Sequence, residues 1–227
     1  FSDGEKYKEI KRKIEEVRHY PERQKELDKQ YGKIPRKEFE RQMNRLEQAG
    51  NFEMKSQKIK IKYLANHYYL PVIVSEIEKI DYLNHIINVD SEVRFIKELE
   101  QNLDKLNNIF KWWMFSKLDQ TLDEVFIPYW NQRTHKYENY HPDFIFWFEP
   151  KNSSKYLIVF VDPHAPTYTD SNWKIDGYRK IFEENCQAKI FPGNRLVKLL
   201  MLGPRNTGEE YKDYWVNDFV DFVGKIS

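Results

Sequence analysis

Two carboxylates stand out by what flanks them. Asp143 opens the apolar run Phe144-Ile145-Phe146-Trp147-Phe148, and Asp162 closes the run Leu157-Ile158-Val159-Phe160-Val161. If each run is a strand and residues 149–155 join them, an antiparallel hairpin returns both aspartates to one end of a sheet. Carboxylates held close on a rigid scaffold repel each other, and an oxygen-seeking divalent cation relieves the repulsion. The pair therefore predicts a site for Mg²⁺, with Mn²⁺ as a substitute, on Asp143 and Asp162. Each residue also has a plainer reading. Asp143 follows Pro142 and suits a turn. Asp162, closing five apolar residues, needs solvent, a cap or a metal.

These two residues need a sheet and helices to hold them. Strand signals fall at 124–130, 143–148, 156–162 and 196–202. A helix opens at Asp90-Ser91-Glu92, with Asp90 or Ser91 as cap and a stripe of Val93, Ile96, Leu99, Leu103 and Leu106. A second helix is predicted over 171–185, with Trp173 or Tyr178, Ile181 and Phe182 facing inward, and a third over 210–223. Residues 109–118 are too aromatic to assign. The order from 91 onward is helix, strands, helix, strand, helix. It predicts an α/β fold with a mixed central sheet flanked by helices.

The first 50 residues read as two or three charged helices. Ile10, Ile14 and Val17 share one face over 5–19, and Phe39, Met43 and Leu46 share one over 36–49. Pro35 suits a first turn and Gly50 a stop. These stripes are narrow, so the helices need a partner surface. With Phe1 rather than Met at the start, the chain reads as a piece of something longer that supplies it. Residues 57–63 alternate as a half-buried strand. Residues 67–74 are a second strand, which Pro71 places at an edge, and 76–88 hold a short helix. The expected division is a charged helical extension or connector over 1–56 and a domain over 57–227.

Composition bounds the function. Of 227 residues, 40% are hydrophobic and 16% aromatic, enough for a substantial core. One cysteine, Cys186, excludes an internal disulfide and a Cys-rich zinc site. The absence of a signal peptide and of a long apolar run predicts a cytoplasmic protein without a membrane partner. Net charge is +1, but residues 1–62 hold 18 Lys/Arg against 12 Asp/Glu, so the remainder is acidic. That excludes a uniformly basic nucleic-acid binder. It suits an acidic metal-binding body with a basic arm, or an ordinary solvated helical extension. His67, His85, His135 and His141 lack metal-ligand spacing, and Trp112-Trp113 reads as core.

The order of elements resembles the PD-(D/E)xK nuclease superfamily, and within it the nuclease part of Type III restriction (Res subunit)-like helicase–nuclease proteins. The residues that carry the resemblance are Ser91-Glu92-Val93-Arg94-Phe95, Tyr140-His141-Pro142-Asp143-Phe144, Phe160-Val161-Asp162-Pro163-His164 and Lys174-Ile175-Asp176-Gly177-Tyr178. It covers about 85–225 of the chain. It implies a restriction-endonuclease-like fold and a Mg²⁺-dependent endonuclease acting on DNA. The metal would be held by Glu92, Asp143, Asp162 and the Pro163 carbonyl. It implies a linked helicase motor too, with a modification or specificity subunit as a further partner. No GxxxxGK[ST] loop occurs, so this chain is not expected to hydrolyse ATP. The pattern departs at one point: the family has an acid, any residue and lysine where this chain has Asp162-Pro163-His164. His164 would polarise water, or Lys174 would supply the charge from the next helix. The alternative is an inactive, nuclease-like interaction module. Glu92 also has a plain reason to be in a first helical turn, where a negative charge meets the helix dipole.

Overall fold

The structure is a computed structural model that describes residues 2–50, 52–53, 59–68, 71–76, 83–163, 170–185, 187–203 and 209–227. The chain forms two compact units, Phe1–Val89 and Asp90–Ser227. The division falls at 89/90, whereas the sequence places it at 56/57. Among the described residues no helix is long and apolar enough to cross a membrane.

The first unit contains α1 (Ser2–Arg18), α2 (Tyr20–Asp28), α3 (Arg36–Gly50) and strands β1 (Phe52–Glu53), β2 (Ile59–Lys62), β3 (Val72–Ser75) and β4 (Ile86–Ile87). The strands form one sheet in that order. Period-two alternation buries Ile59 and Ile61 of β2, and these pack with Ile10 and Val17 of α1, Ile73 and Ile86. The stripe on α1 thus finds its partner inside the unit, where the sequence led us to expect it elsewhere. Pro71 does not mark an edge: β3 pairs with both β2 and β4. The proline lies just outside the paired residues, so its missing N–H costs no ladder bond. The helix expected over 76–88 gives way to β4 at its end, and residues 77–82 lie outside the described residues.

The second unit is a mixed α/β fold. Helices α4 (Asp90–Gln101) and α5 (Leu103–Ile109) lead into β5 (Phe110–Lys117). A β6 (Ile127–Asn131) and β7 (Lys136–Tyr140) hairpin follows, then β8 (Phe144–Pro150) and β9 (Tyr156–Asp162). Next come α6 (Asp170–Phe182), short strands β10 (Glu183–Glu184), β11 (Gln187–Ala188) and β12 (Ile190–Phe191), and β13 (Arg195–Leu202). A 3₁₀ turn (Glu209–Tyr214), β14 (Trp215–Val216) and α7 (Phe219–Ile226) end the chain. The main sheet runs β12-β13-β9-β8-β5, with β14 also on β13. The β5–β8 and β8–β9 pairs are antiparallel, and β9–β13 is parallel.

Alternation along β8 explains the layers. Phe144 and Phe146 face one side and meet Phe95 of α4, with ring centroids 5.5 and 5.9 Å away. Phe219 and Phe222 of α7 close around the same ring, each at 5.7 Å. Ile145 points the other way, into a cluster with Phe160, Val197, Leu199 and the α6 residues Ile175 and Tyr178. Burying one such side chain contributes about 1.5–3 kcal/mol.

Several sequence expectations change here. The helix expected from 91 to 107 breaks at Asn102, whose amide donates to the Glu98 carbonyl at 2.8 Å and competes with the helical ladder. Ser91 does not cap it; its hydroxyl is buried without a partner. The helix expected over 210–223 is interrupted because Trp215 and Val216 extend the sheet beside Met201 and Leu202. Asp218 then restarts it, accepting from the Asp221 N–H at 2.8 Å. In α6, Tyr178 is buried and Phe182 packs against the same cluster, as expected, but Ile181 is exposed and the helix ends at Phe182. The aromatic stretch left unassigned is β5, in which Trp113 is buried and Trp112 exposed by alternation.

Candidate active site

The β8–β9 hairpin does what the two runs promised. Phe144 pairs with Val161, so Asp143 and Asp162 fall opposite each other at the same end of the sheet. The Leu118 N–H donates to the Asp143 carbonyl at 2.8 Å and ties that end to β5. Glu92, on the first turn of α4, arrives at the same place. It is buried, as is Asp162, while Asp143 is half-buried.

Two further side chains complete the cluster. The Lys117 ammonium, at the last residue of β5, donates to Glu92 Oε1 at 2.9 Å and to Asp143 Oδ1 at 3.4 Å. It also lies 5.3 Å from the centre of the Phe144 ring. The Tyr140 hydroxyl, at the end of β7, donates to Asp162 Oδ2 at 2.9 Å. Lys174 of α6 stands 4.7 Å above the Tyr140 ring. The cluster thus draws on two faces of the sheet: Lys117 and Glu92 from the α4 side, Lys174 from α6.

Burial dominates the electrostatics. It raises Asp162 to about 8, with the Asp143 charge adding to the rise and Lys174 and the Tyr140 hydroxyl opposing it. Burial, then Asp143, raises Glu92 to about 7 against the pull of Lys117. Burial works against the Lys117 charge, but Asp143 and Glu92 outweigh it and hold its pKa above the ordinary lysine value. Burial and the Asp162 charge push the Tyr140 phenol well up. At neutral pH Asp162 and Glu92 are therefore partly protonated, while Lys117 and the phenol keep their protons.

The donor set suits a hard cation. It is all carboxylate oxygen, and Glu92 Oε2 is buried with no hydrogen-bond partner. Among the described residues, no group of three or more His, Cys, Asp or Glu side chains is arranged to hold a metal. Lys117 sits where it neutralises Glu92 and Asp143.

Of the residues expected from sequence, Glu92, Asp143, Asp162 and Lys174 come together, and buried Pro163 follows directly on Asp162. His164, with the loop at 165–169, lies outside the described residues. His141 is set against the Phe126 ring at 5.9 Å. Lys117 and Tyr140 were missed. The signal for Lys117 was present: it continues the phase of buried Trp113 and Phe115, and a lysine in a core phase needs an anionic partner. Without β5 assigned, that phase was invisible.

Residues 83–194 match the model of the YagJ family. The matched span includes all six side chains of the cluster, from Glu92 to Lys174. No curated protein matches the chain, and no solved structure does.

Proposed function

We propose that residues 90–227 are a metal-dependent nuclease domain of the PD-(D/E)xK kind, hydrolysing phosphodiester bonds in DNA within a helicase-linked restriction or defence protein. One observation carries this reading: Glu92 of α4, Lys117 of β5, Asp162 of β9 and Asp143, the residue before β8, converge at one end of the sheet. A protein that needed only a stable core would avoid burying two carboxylates beside a third.

In this reading Glu92, Asp143 and Asp162 would hold Mg²⁺ or Mn²⁺. The bound ion would acidify water and neutralise phosphate charge. Lys117 keeps its proton and stays close to Asp143, so it is placed to orient the attacking water and to stabilise negative charge on the phosphoryl oxygens. It fills the role that the Asp162-Pro163-His164 departure leaves open. Lys174, held over the Tyr140 ring, keeps positive potential at Asp162.

A second reading is a nuclease-like interaction module without catalysis. The specific observation favouring it is that Lys117 already neutralises two of the carboxylates. Plasmid cleavage by the full chain in Mg²⁺ or Mn²⁺, beside Asp143→Asn, decides between them. Metal-dependent nicking that vanishes in Asp143→Asn supports the nuclease. No cleavage in either metal, joined or not to a motor, supports the module.

A further inference from the structure

The β6–β7 ribbon presents aromatic rings to solvent on one face and is fastened on the other. Ile127, Tyr129 and Asn131 point inward, while Pro128 and Trp130 point outward. Trp130 pairs with Tyr137 across the ribbon, their rings 5.2 Å apart at 71°. They are 40% and 69% exposed. Glu138 locks the inner face by accepting from Tyr129 at 2.9 Å, Asn131 at 2.9 Å and Thr134 at 2.8 Å. Against α6 the fit is tight. A Cβ on Gly177 would lie 2.6 Å from the Pro128 carbonyl oxygen.

Between this ribbon and α6 runs a groove of about 280 Å³, walled by Trp130 and Trp173, with Gln132, Asp176 and Lys180 on its rim. The Arg133 guanidinium lies 5.7 Å from the Trp173 ring. Lys180 of the rim is exposed, and so is Arg133, which also lies 3.5 Å from Asp170 Oδ1. Asp176, the acid of the wall, already accepts from the Tyr211 hydroxyl at 3.2 Å and sits 3.9 Å from Arg179.

We infer that this groove binds an unpaired base of single-stranded nucleic acid. Indole faces stack on any base, and surrounding cations meet the backbone phosphates. A duplex keeps its bases in the stack and cannot offer one. The Gln132 amide can donate and accept at a base edge. The groove shares its elements with the candidate active site: Lys174 follows Trp173 on α6, and Tyr140 ends the ribbon three residues past Tyr137, about 10 Å along the strand and on its inner face. The inference names the substrate class of the nuclease proposed above and rests on that reading for its chemistry, but binding is measured without it.

The experiment is fluorescence anisotropy of the full chain with labelled oligo(dT) in EDTA, beside a duplex of mixed sequence and heparin as competitor. Oligo(dT) binds more tightly than the duplex. Trp130→Ala weakens it about ten-fold, the weight of one stacked base, and Trp130→Phe restores most of the loss. Lys180→Glu weakens it too and flattens its salt dependence. Equal affinity in Trp130→Ala and wild type, tighter binding of the duplex, or no oligonucleotide binding overturns the groove. If DNA is never cleaved yet Trp130→Ala still weakens oligo(dT), the nuclease reading fails and the groove stands. If DNA is cleaved while Trp130→Ala binds as wild type, the reverse holds.

Discussion

Lys117 and Glu92 form a buried ion pair, Nζ to Oε1 at 2.9 Å, between the end of an edge strand and the first turn of a helix. Removing one member of such a pair leaves the other charge stranded, which typically costs about 3–5 kcal/mol. Lys117→Met should therefore lower unfolding free energy by about 3 kcal/mol above pH 8, where Glu92 is ionised in wild type, and by less at neutral pH, where Glu92 is already partly protonated. Adding Glu92→Gln should return most of the loss, because the neutral amide needs no counter-charge. Urea unfolding of both variants measures this. If the single variant loses less than about 1 kcal/mol, Lys117 contributes little to holding β5 against α4.

Asp162 and Glu92 set a pH dependence of opposite sign to the usual carboxylate case. Both have raised folded pKa values, about 8 and about 7, against 3.8 and 4.5 for the free groups. Between those limits the folded state holds more protons than the unfolded one, so stability falls as pH rises. The contribution is full below about pH 4 and lost as pH passes 8. Asp162→Asn removes the titration, so it should melt higher than wild type at pH 8, with the gap closing toward pH 4. Thermal melts across this range that run parallel for the two proteins would rule out a strongly raised Asp162.

How much of this was visible beforehand depends on how local the signal was. The strand Tyr156–Asp162 was legible to the residue, because an unbroken apolar run closed by a charge has one natural register. The partnership of Asp143 and Asp162 followed from it. Lys117 was not legible, since its meaning depends on β5 lying beside β8, a pairing 27 positions apart at Lys117–Phe144. The same holds for Trp215 and Val216, whose helical periodicity lost to a parallel pairing with Met201 and Leu202. Non-local pairing, not local preference, decided both.

Metal binding should compete with Lys117 for the same carboxylates. Calorimetry with Mn²⁺ should show one site in wild type and none in Asp162→Asn. Lys117→Met should bind Mn²⁺ more tightly than wild type, since no ammonium then neutralises Glu92 and Asp143. Binding should also release protons, because Asp162 and Glu92 are partly protonated at neutral pH. The heat should accordingly vary with the ionisation enthalpy of the buffer. Equal affinity in wild type and Asp162→Asn would remove the metal site.

The two lysines should separate in cleavage assays. Lys117 contacts Asp143 directly, so Lys117→Met should cut the cleavage rate by about 10²–10³-fold while metal still binds. Lys174 acts on Asp162 through space above Tyr140, so Lys174→Ala should leave measurable cleavage with a shifted pH profile. Plasmid nicking from pH 6 to 9 reads both. Full activity in Lys117→Met with none in Lys174→Ala would give Lys174 the role assigned here to Lys117.

Gly177 offers a test of how the ribbon is held, independent of any chemistry. On an exposed helix, glycine to alanine stabilises by about 1 kcal/mol. Here the new methyl would meet the Pro128 carbonyl at 2.6 Å and Tyr129 Cβ at 2.7 Å, and neither is the free end of a flexible side chain. Ribbon and helix must then part, and the packing loss of about 1–3 kcal/mol should outweigh the helical gain. Gly177→Ala should therefore lower the melting temperature. The shift should also loosen the seat of Tyr140, whose hydroxyl reaches Asp162 from the same ribbon. Cleavage should fall with stability in this variant, although Gly177 touches none of the carboxylates. A melting temperature at or above wild type would show that the ribbon is not clamped to α6 at this point.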